Sequence, residues 1–212
     1  GEEDFQECSS YMSVASRAVE TFLAKYAGKM SSCHVLSEAK ARIAEHLLRV
    51  FVRHAFLVRP LTEMGKMRLI RDVTKLEEVA GRLANLREHD LEDAYAALRG
   101  LRPLLFVEDS PGSDLLARLQ KVEAVPKLHP ADFLHHLVQR MPPSVLFITS
   151  DSPGPSRVSK IQAYVEELHA GECGGAQVAA KRVLEALQKA GEDGKGSGFE
   201  SDVVRFATGM LS

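Results

Sequence analysis

Phe5-Gln6-Glu7-Cys8-Ser9-Ser10-Tyr11-Met12-Ser13-Val14-Ala15-Ser16-Arg17-Ala18-Val19-Glu20-Thr21-Phe22-Leu23-Ala24-Lys25-Tyr26 sets Phe5, Cys8, Met12, Ala15, Val19, Phe22 and Tyr26 alternately three and four residues apart. At about 3.6 residues per turn, that spacing lines all seven up on one stripe of a single helix. Ala18, Leu23 and Ala24 are expected to widen the stripe, which suits a helix of a bundle rather than an isolated coiled coil, and Gly28 is the expected stop.

The same period recurs along the chain. Ser37 is an expected N-cap for a second helix, with Ile43, Leu47, Val50, His54 and Leu57 on its core stripe and Leu48, Phe51, Val52 and Phe56 making it apolar around most of its girth. Such a helix belongs in the middle of a bundle. A cationic edge, Arg42, His46, Arg49 and Arg53, runs beside it before Pro60 ends it. Thr62 opens a third helix to about Leu86, with Leu69, Val73, Leu76, Ala80 and Leu83 inward and Glu78 placed to support Arg82. A fourth runs from about Asp90 to Leu101, where Pro103 bends or ends it ahead of Leu104, Leu105 and Phe106.

Asp109-Ser110-Pro111-Gly112-Ser113 and Asp151-Ser152-Pro153-Gly154-Pro155 are turn-rich seams. Further helices are expected over 114–123, over 130–140 with Pro130 at a first helical position, through Ile161, Val165 and Leu168 to Gly171, through Val183, Leu184 and Leu187 to Gly191, and through Val203, Phe206 and Met210. Pro142-Pro143 stops the second of these, Gly191–Gly198 reads as a loop, and Val145–Thr149 is the one run that could pass for a strand. The pattern predicts an all-α chain, with one helical bundle over residues 1–108 and one over 109–212, or a single continuous unit.

Composition narrows function by exclusion. Of 212 residues, 45% are hydrophobic, enough for a sizeable core, and 27 Lys and Arg against 29 Asp and Glu leave a net charge of -2. That balance offers no positive field to gather nucleic acid. Three cysteines without C-x-x-C spacing suit neither a disulfide framework nor a zinc knuckle. Arg49, Arg53 and His54 interrupt the greasiest segment, so no membrane-spanning run of about 20 apolar residues forms. The chain begins Gly1-Glu2-Glu3-Asp4 and is expected to lack its natural start.

Candidate chemistry is thin. His129, Asp132 and His136 share a helical face and could offer a metal two imidazoles and a carboxylate, although the plainer reading makes Asp132 a helix-terminus charge and the histidines surface residues. Ser37-Glu38-Ala39-Lys40 has acyl-enzyme spacing without the companion elements, Gly194–Gly198 lacks a phosphate-loop frame, and Cys33-His34 has no orienting third group. No catalytic, cofactor or metal site is therefore assigned.

Val50-Phe51-Val52-Arg53-His54-Ala55-Phe56-Leu57-Val58-Arg59-Pro60-Leu61, continued by Gly65-Lys66-Met67-Arg68-Leu69 and Asp72, resembles the C-terminal region of the fifth subunit of the conserved oligomeric Golgi complex. Tyr95–Phe106, with its Arg102-Pro103-Leu104-Leu105-Phe106, resembles a second element of that family at a compatible distance. From Asp132 to Leu211 the likeness rests on a helix, the proline break at Pro142-Pro143 and later helices in the same order; the chain departs from the family at Thr62-Glu63-Met64, where more glycine is usual, and in glycine-rich inserts around 171–175 and 191–198.

The resemblance implies a non-enzymatic vesicle-tethering subunit, a rod of stacked helical bundles, peripheral on the cytosolic face of the Golgi, acting in intra-Golgi retrograde trafficking. It implies other subunits of the complex as partners, the seventh especially, with SNARE proteins and Rab GTPases around the assembly, and no cofactor. It singles out Arg53, His54, Arg59, Pro60, Lys66, Arg68, Arg102 and Pro103 as family-motif or contact residues. Arg53, Arg59 and Arg102 are read first as cations that fix helix ends. The alternatives are a scaffold of another tethering complex such as the exocyst, or a metal-dependent helical enzyme.

Overall fold

The computed structural model describes residues 8–27, 34–58, 61–85, 91–108, 114–141, 157–170, 175–191 and 198–211. Among them lie nine α-helices and no strand. They are α1 (Ser10–Phe22), α2 (His34–Leu57), α3 (Glu63–Gly81), α4 (Glu92–Leu105), α5 (Leu115–Gln120), α6 (Pro130–Gln139), α7 (Arg157–Ala170), α8 (Gly175–Gly191) and α9 (Gly198–Gly209). A π-helical turn (Leu23–Ala27) extends α1, and a 3-10 turn (Val125–Lys127) precedes α6. Phe5, Gly28, Cys33, Arg59, Pro60, both turn-rich seams, Pro142-Pro143 and Val145–Thr149 lie outside the described residues.

Packing separates two units. The first holds α1, α2 as far as Ala55, α3, α4 and Lys121–Leu128; the second holds the end of α2 from Phe56 and α5 to α9.

In the first unit α3 follows its sequence closely. Leu69, Val73, Leu76, Ala80 and Leu83 are all buried, and the Thr62 hydroxyl caps the helix by accepting from the Gly65 N–H at 3.1 Å. Glu78 pairs with Arg82 as expected, and Arg82 also reaches Glu20 of α1 at 2.5 Å. On α1, Met12 and Val19 are buried, but Ala18 and Ala24 face solvent. The stripe is therefore narrower than the alanines suggested.

The expected register of α2 is corrected. Its buried side is Ala44, Leu48, Val52 and Ala55, while Ile43, Leu47 and Val50 are half-buried and His54 is exposed. An all-round apolar helix offers two stripes one residue apart, and only its neighbours choose between them. Ser37 is likewise not a cap, because α2 already begins at His34.

Pro103 does not end α4. The helix runs on to Leu105, with Leu104 and Leu105 fully buried. A proline inside a helix costs about 3 kcal/mol, which burial of two leucines at about 1.5–3 kcal/mol each offsets.

Gly100 is where α4 meets Lys121–Leu128 most closely. A Cβ built there would lie 2.0 Å from the Ala124 Cβ, so only glycine admits the approach. Gly100→Ala should accordingly lower stability by about 1–3 kcal/mol, reversing the gain of up to about 1 kcal/mol that Gly→Ala gives in an open helix. Adding Ala124→Gly should recover most of the loss in chemical denaturation; a stabilised single variant would refute this packing.

In the second unit the helix buried on all sides is α6. Every residue from Ala131 to Gln139 is buried, so the central role expected of α2 belongs here instead. Two histidines, Asp132 and Gln139 masked that environment in the sequence. Around α6 pack α8 and α9, with Phe133 edge-on to Phe206 at 5.4 Å, and α7 adds Tyr164, whose hydroxyl lies 2.7 Å from His135 Nε2.

Candidate interaction surface

Among the described residues no three His, Cys, Asp or Glu side chains converge to hold a metal. His129 is the N-cap of α6, its Nδ1 accepting from the Ala131 N–H at 3.3 Å, and Asp132 complements the same helix terminus. His136 is only 1% exposed and stacks 4.9 Å from the Phe56 ring, which corrects the expectation of surface histidines. Its Nε2 accepts from the Arg140 guanidinium at 3.2 Å, so the ring proton sits on Nδ1 and donates to Gln139 Oε1 at 3.3 Å. The Gln139 amide in turn donates to the Val58 carbonyl at 2.9 Å. These residues form a structural polar network.

The cationic edge of α2 is a salt-bridged face. Arg42 pairs with Glu38 at 2.7 Å and Arg49 with Glu45 at 2.8 Å, each one helical turn apart. The cleft beside it, about 550 Å³ and lined by His34, Ser37, Glu38, Arg42 and Glu45, contains carboxylates already committed to those pairs.

Asp72, part of the family-like wording, is 1% exposed on the inner side of α3. Its carboxylate accepts from the Ser9 backbone N–H and the Ser9 hydroxyl, each at 2.7 Å, and from the Tyr11 hydroxyl. One buried anion thus anchors the N-terminus of α1 to α3 across 63 residues of sequence. Tyr11 is 49% exposed, so burial of its hydroxyl is partial; that burial, and then the hydrogen bond and charge of Asp72, push the hydroxyl well above the ordinary phenol range.

A phenol whose folded pKa is raised contributes stability that is complete below the unfolded value, near 10, and is lost as pH climbs toward the folded one. Thermal melts across alkaline pH should show the parent losing more stability than Tyr11→Phe; identical profiles would mean the hydroxyl faces water.

The two stretches that carry the family resemblance meet in space. Arg102 near the end of α4 donates to the Thr74 hydroxyl of α3 at 2.7 Å, and Lys66 Nζ lies 6.0 Å above the Phe106 ring. Arg102 therefore bridges two helices rather than fixing a helix end. Lys66 also pairs with Glu63 at 2.6 Å, Arg68 projects outward, and Pro103 is exposed beside Arg102. Arg53 is half-buried on α2, and the His54 ring bonds back to the Val50 carbonyl at 2.8 Å, whereas Arg59 and Pro60 lie outside the described residues.

Sequence reasoning missed the large apolar residues Met64, Met67 and Phe106, which remain exposed. The signal for the first two was available, since they sit opposite the Leu69–Val73–Leu76 stripe on the helical wheel.

The chain is 36% identical over 149 residues to conserved oligomeric Golgi complex subunit 5 of Arabidopsis thaliana, which is 63% of this chain and 16% of that protein. Against the Mus musculus subunit 5 it is 35% identical over 109 residues, 49% of this chain and 13% of the other. The Dictyostelium discoideum subunit 5 is 25% identical over 103 residues. The chain thus spans 16% or less of the length of these relatives. No family model matches, and no solved structure matches.

Proposed function

We propose that this chain, similar to subunit 5 of the conserved oligomeric Golgi complex in three organisms, is the C-terminal part of such a subunit and acts in vesicle tethering at the Golgi. The likeness to the Arabidopsis and mouse proteins, above one-third identity in both, carries the reading. It works without catalysis, through protein contacts made by helical surfaces, in intra-Golgi retrograde transport. Its companions are other subunits of the complex, the seventh foremost, with SNARE proteins and Rab GTPases engaging the assembly. It sits peripherally on the cytosolic face, in keeping with the fact that no described helix is long and apolar enough to cross a membrane.

Of the motif residues, Lys66, Arg68 and Arg102 are the best placed for contact, since each is at least partly exposed on α3 or α4; Arg53, His54 and Pro103 belong to the helices that carry them, and Arg59 and Pro60 lie outside the described residues. Affinity capture of the tagged chain from cytosol, read by mass spectrometry, should return Golgi-complex subunits in stoichiometric amounts. Recovery of exocyst subunits instead, or of none, would overturn the assignment.

A further inference from the structure

Met64, Met67 and Phe106 are 53%, 46% and 45% exposed, high values for large apolar side chains. Singly such residues are ordinary. Here Met64 and Met67 lie one turn apart on the exposed side of α3, so the two share one face. Unbranched thioethers repack readily against an incoming helix.

The face is also locally cationic. From Glu63 to Lys75 its cations are Arg68, Arg71 and Lys75, because Asp72 is turned inward onto Ser9 and Tyr11 and Lys66 lies about 160° round the helix from Met64. Lys66 is matched by Glu63 and Lys75 by Glu78, but Arg68 and Arg71 make no ion pair among the described residues. A positive patch of this kind on a chain of net charge -2 selects an acidic counterpart.

We infer that the outward row of α3 docks an acidic amphipathic helix of a protein partner. Met64, Met67 and Arg71 fall at i, i+3 and i+7, the interval at which a helix laid alongside presents its own side chains. Along this row the two methionines come first and the cations Arg71 and Lys75 follow. Adhesion to an anionic bilayer calls for a broader basic plateau, and the overall negative charge opposes it. A symmetric pairing of two copies would set Arg68 and Arg71 against themselves. The inference rests on the interaction-protein reading above and names the chemistry of one contact within it.

The test uses the full chain and a labelled synthetic helical peptide bearing leucines at i, i+3, i+4 and i+7 flanked by glutamates, followed by fluorescence anisotropy. Saturable binding is expected. Met64→Ser with Met67→Ser should weaken it about tenfold. Arg68→Glu with Arg71→Glu should weaken it at least as much, while a lysine-for-glutamate peptide should regain binding to that charge-reversed chain. All four positions are at least partly exposed, so unchanged melting curves will show that the fold is kept.

Absence of peptide binding, equal binding by the charge-reversed chain, or preference for phosphatidylserine vesicles over the peptide would each overturn the inference. Affinity capture with the same variants separates the two levels. If the parent captures no Golgi-complex subunits, the functional assignment fails; if it captures them and the peptide result is negative, only the docking face fails.

Discussion

Val73→Asp is expected to lower the melting temperature by roughly 10 °C or more. Val73 is 1% exposed on the inner stripe of α3, beside Leu69 and Leu76. A carboxylate there would be stripped of water with no cation to meet it, a penalty of about 4 kcal/mol whether it stays charged or folds protonated. For a chain of this size each kcal/mol moves the midpoint by about 2–4 °C. A differential scanning trace within about a degree of the parent would mean that α3 buries another face. Val73→Ile, which keeps the chemistry and adds one methylene, should cost less, about 1–3 kcal/mol.

At the preceding position the same charge is required. Asp72→Ala should cost about 2–4 kcal/mol, since it strands the Ser9 N–H, the Ser9 hydroxyl and the Tyr11 hydroxyl that converge on one carboxylate. Asp72→Asn preserves shape and one acceptor oxygen, and should lose roughly half as much. The damage should be local: α1 amides should lose hydrogen-exchange protection while the α3 core keeps its own. Uniform loss of protection across α1 and α3 would show that the anchor supports the whole unit; no loss would show that α1 is held by Met12 and Val19 alone.

Positions 72 and 73 adjoin on one helix, yet tolerate opposite substitutions. Side chains 100° apart on a helix meet different neighbours, α1's N-terminus for Asp72 and the apolar interior for Val73.

Much of the architecture is legible without coordinates. The α3 stripe, the Thr62 cap, the Glu78–Arg82 pair and the Pro130 start of α6 all follow from spacing and capping chemistry within a few residues of chain. The misreadings share one cause. In α2 apolar residues surround the axis, so periodicity could not choose the Ala44–Leu48–Val52 side over Ile43–Leu47–Val50. In α6 two histidines, an aspartate and a glutamine disguised a helix buried on every side, because their polarity is satisfied by partners such as Tyr164 and Val58 that lie far off in sequence. Pro103 was read as a terminator from its backbone chemistry, although burial of the two leucines beyond it carries the helix through.

The candidate surface divides in the same way. Its wording, Gly65–Leu69 and Arg102–Phe106, was conspicuous in the sequence as part of the longer stretches, from Val50 and from Tyr95, that carry the family likeness. That these stretches meet, with Arg102 on Thr74 and Lys66 over Phe106, required the antiparallel contact of α3 and α4.

Helical class, element order and caps were thus set by interactions that close within one turn, which a string of residues records directly. The inward face of α2 depends on its neighbours, and the buried anchor at Asp72, the glycine contact at Gly100 and the approach of Lys66 to Phe106 join atoms from 24 to 63 positions apart. Those pairings arise only when whole helices pack, and packing selects among faces that local chemistry leaves equivalent.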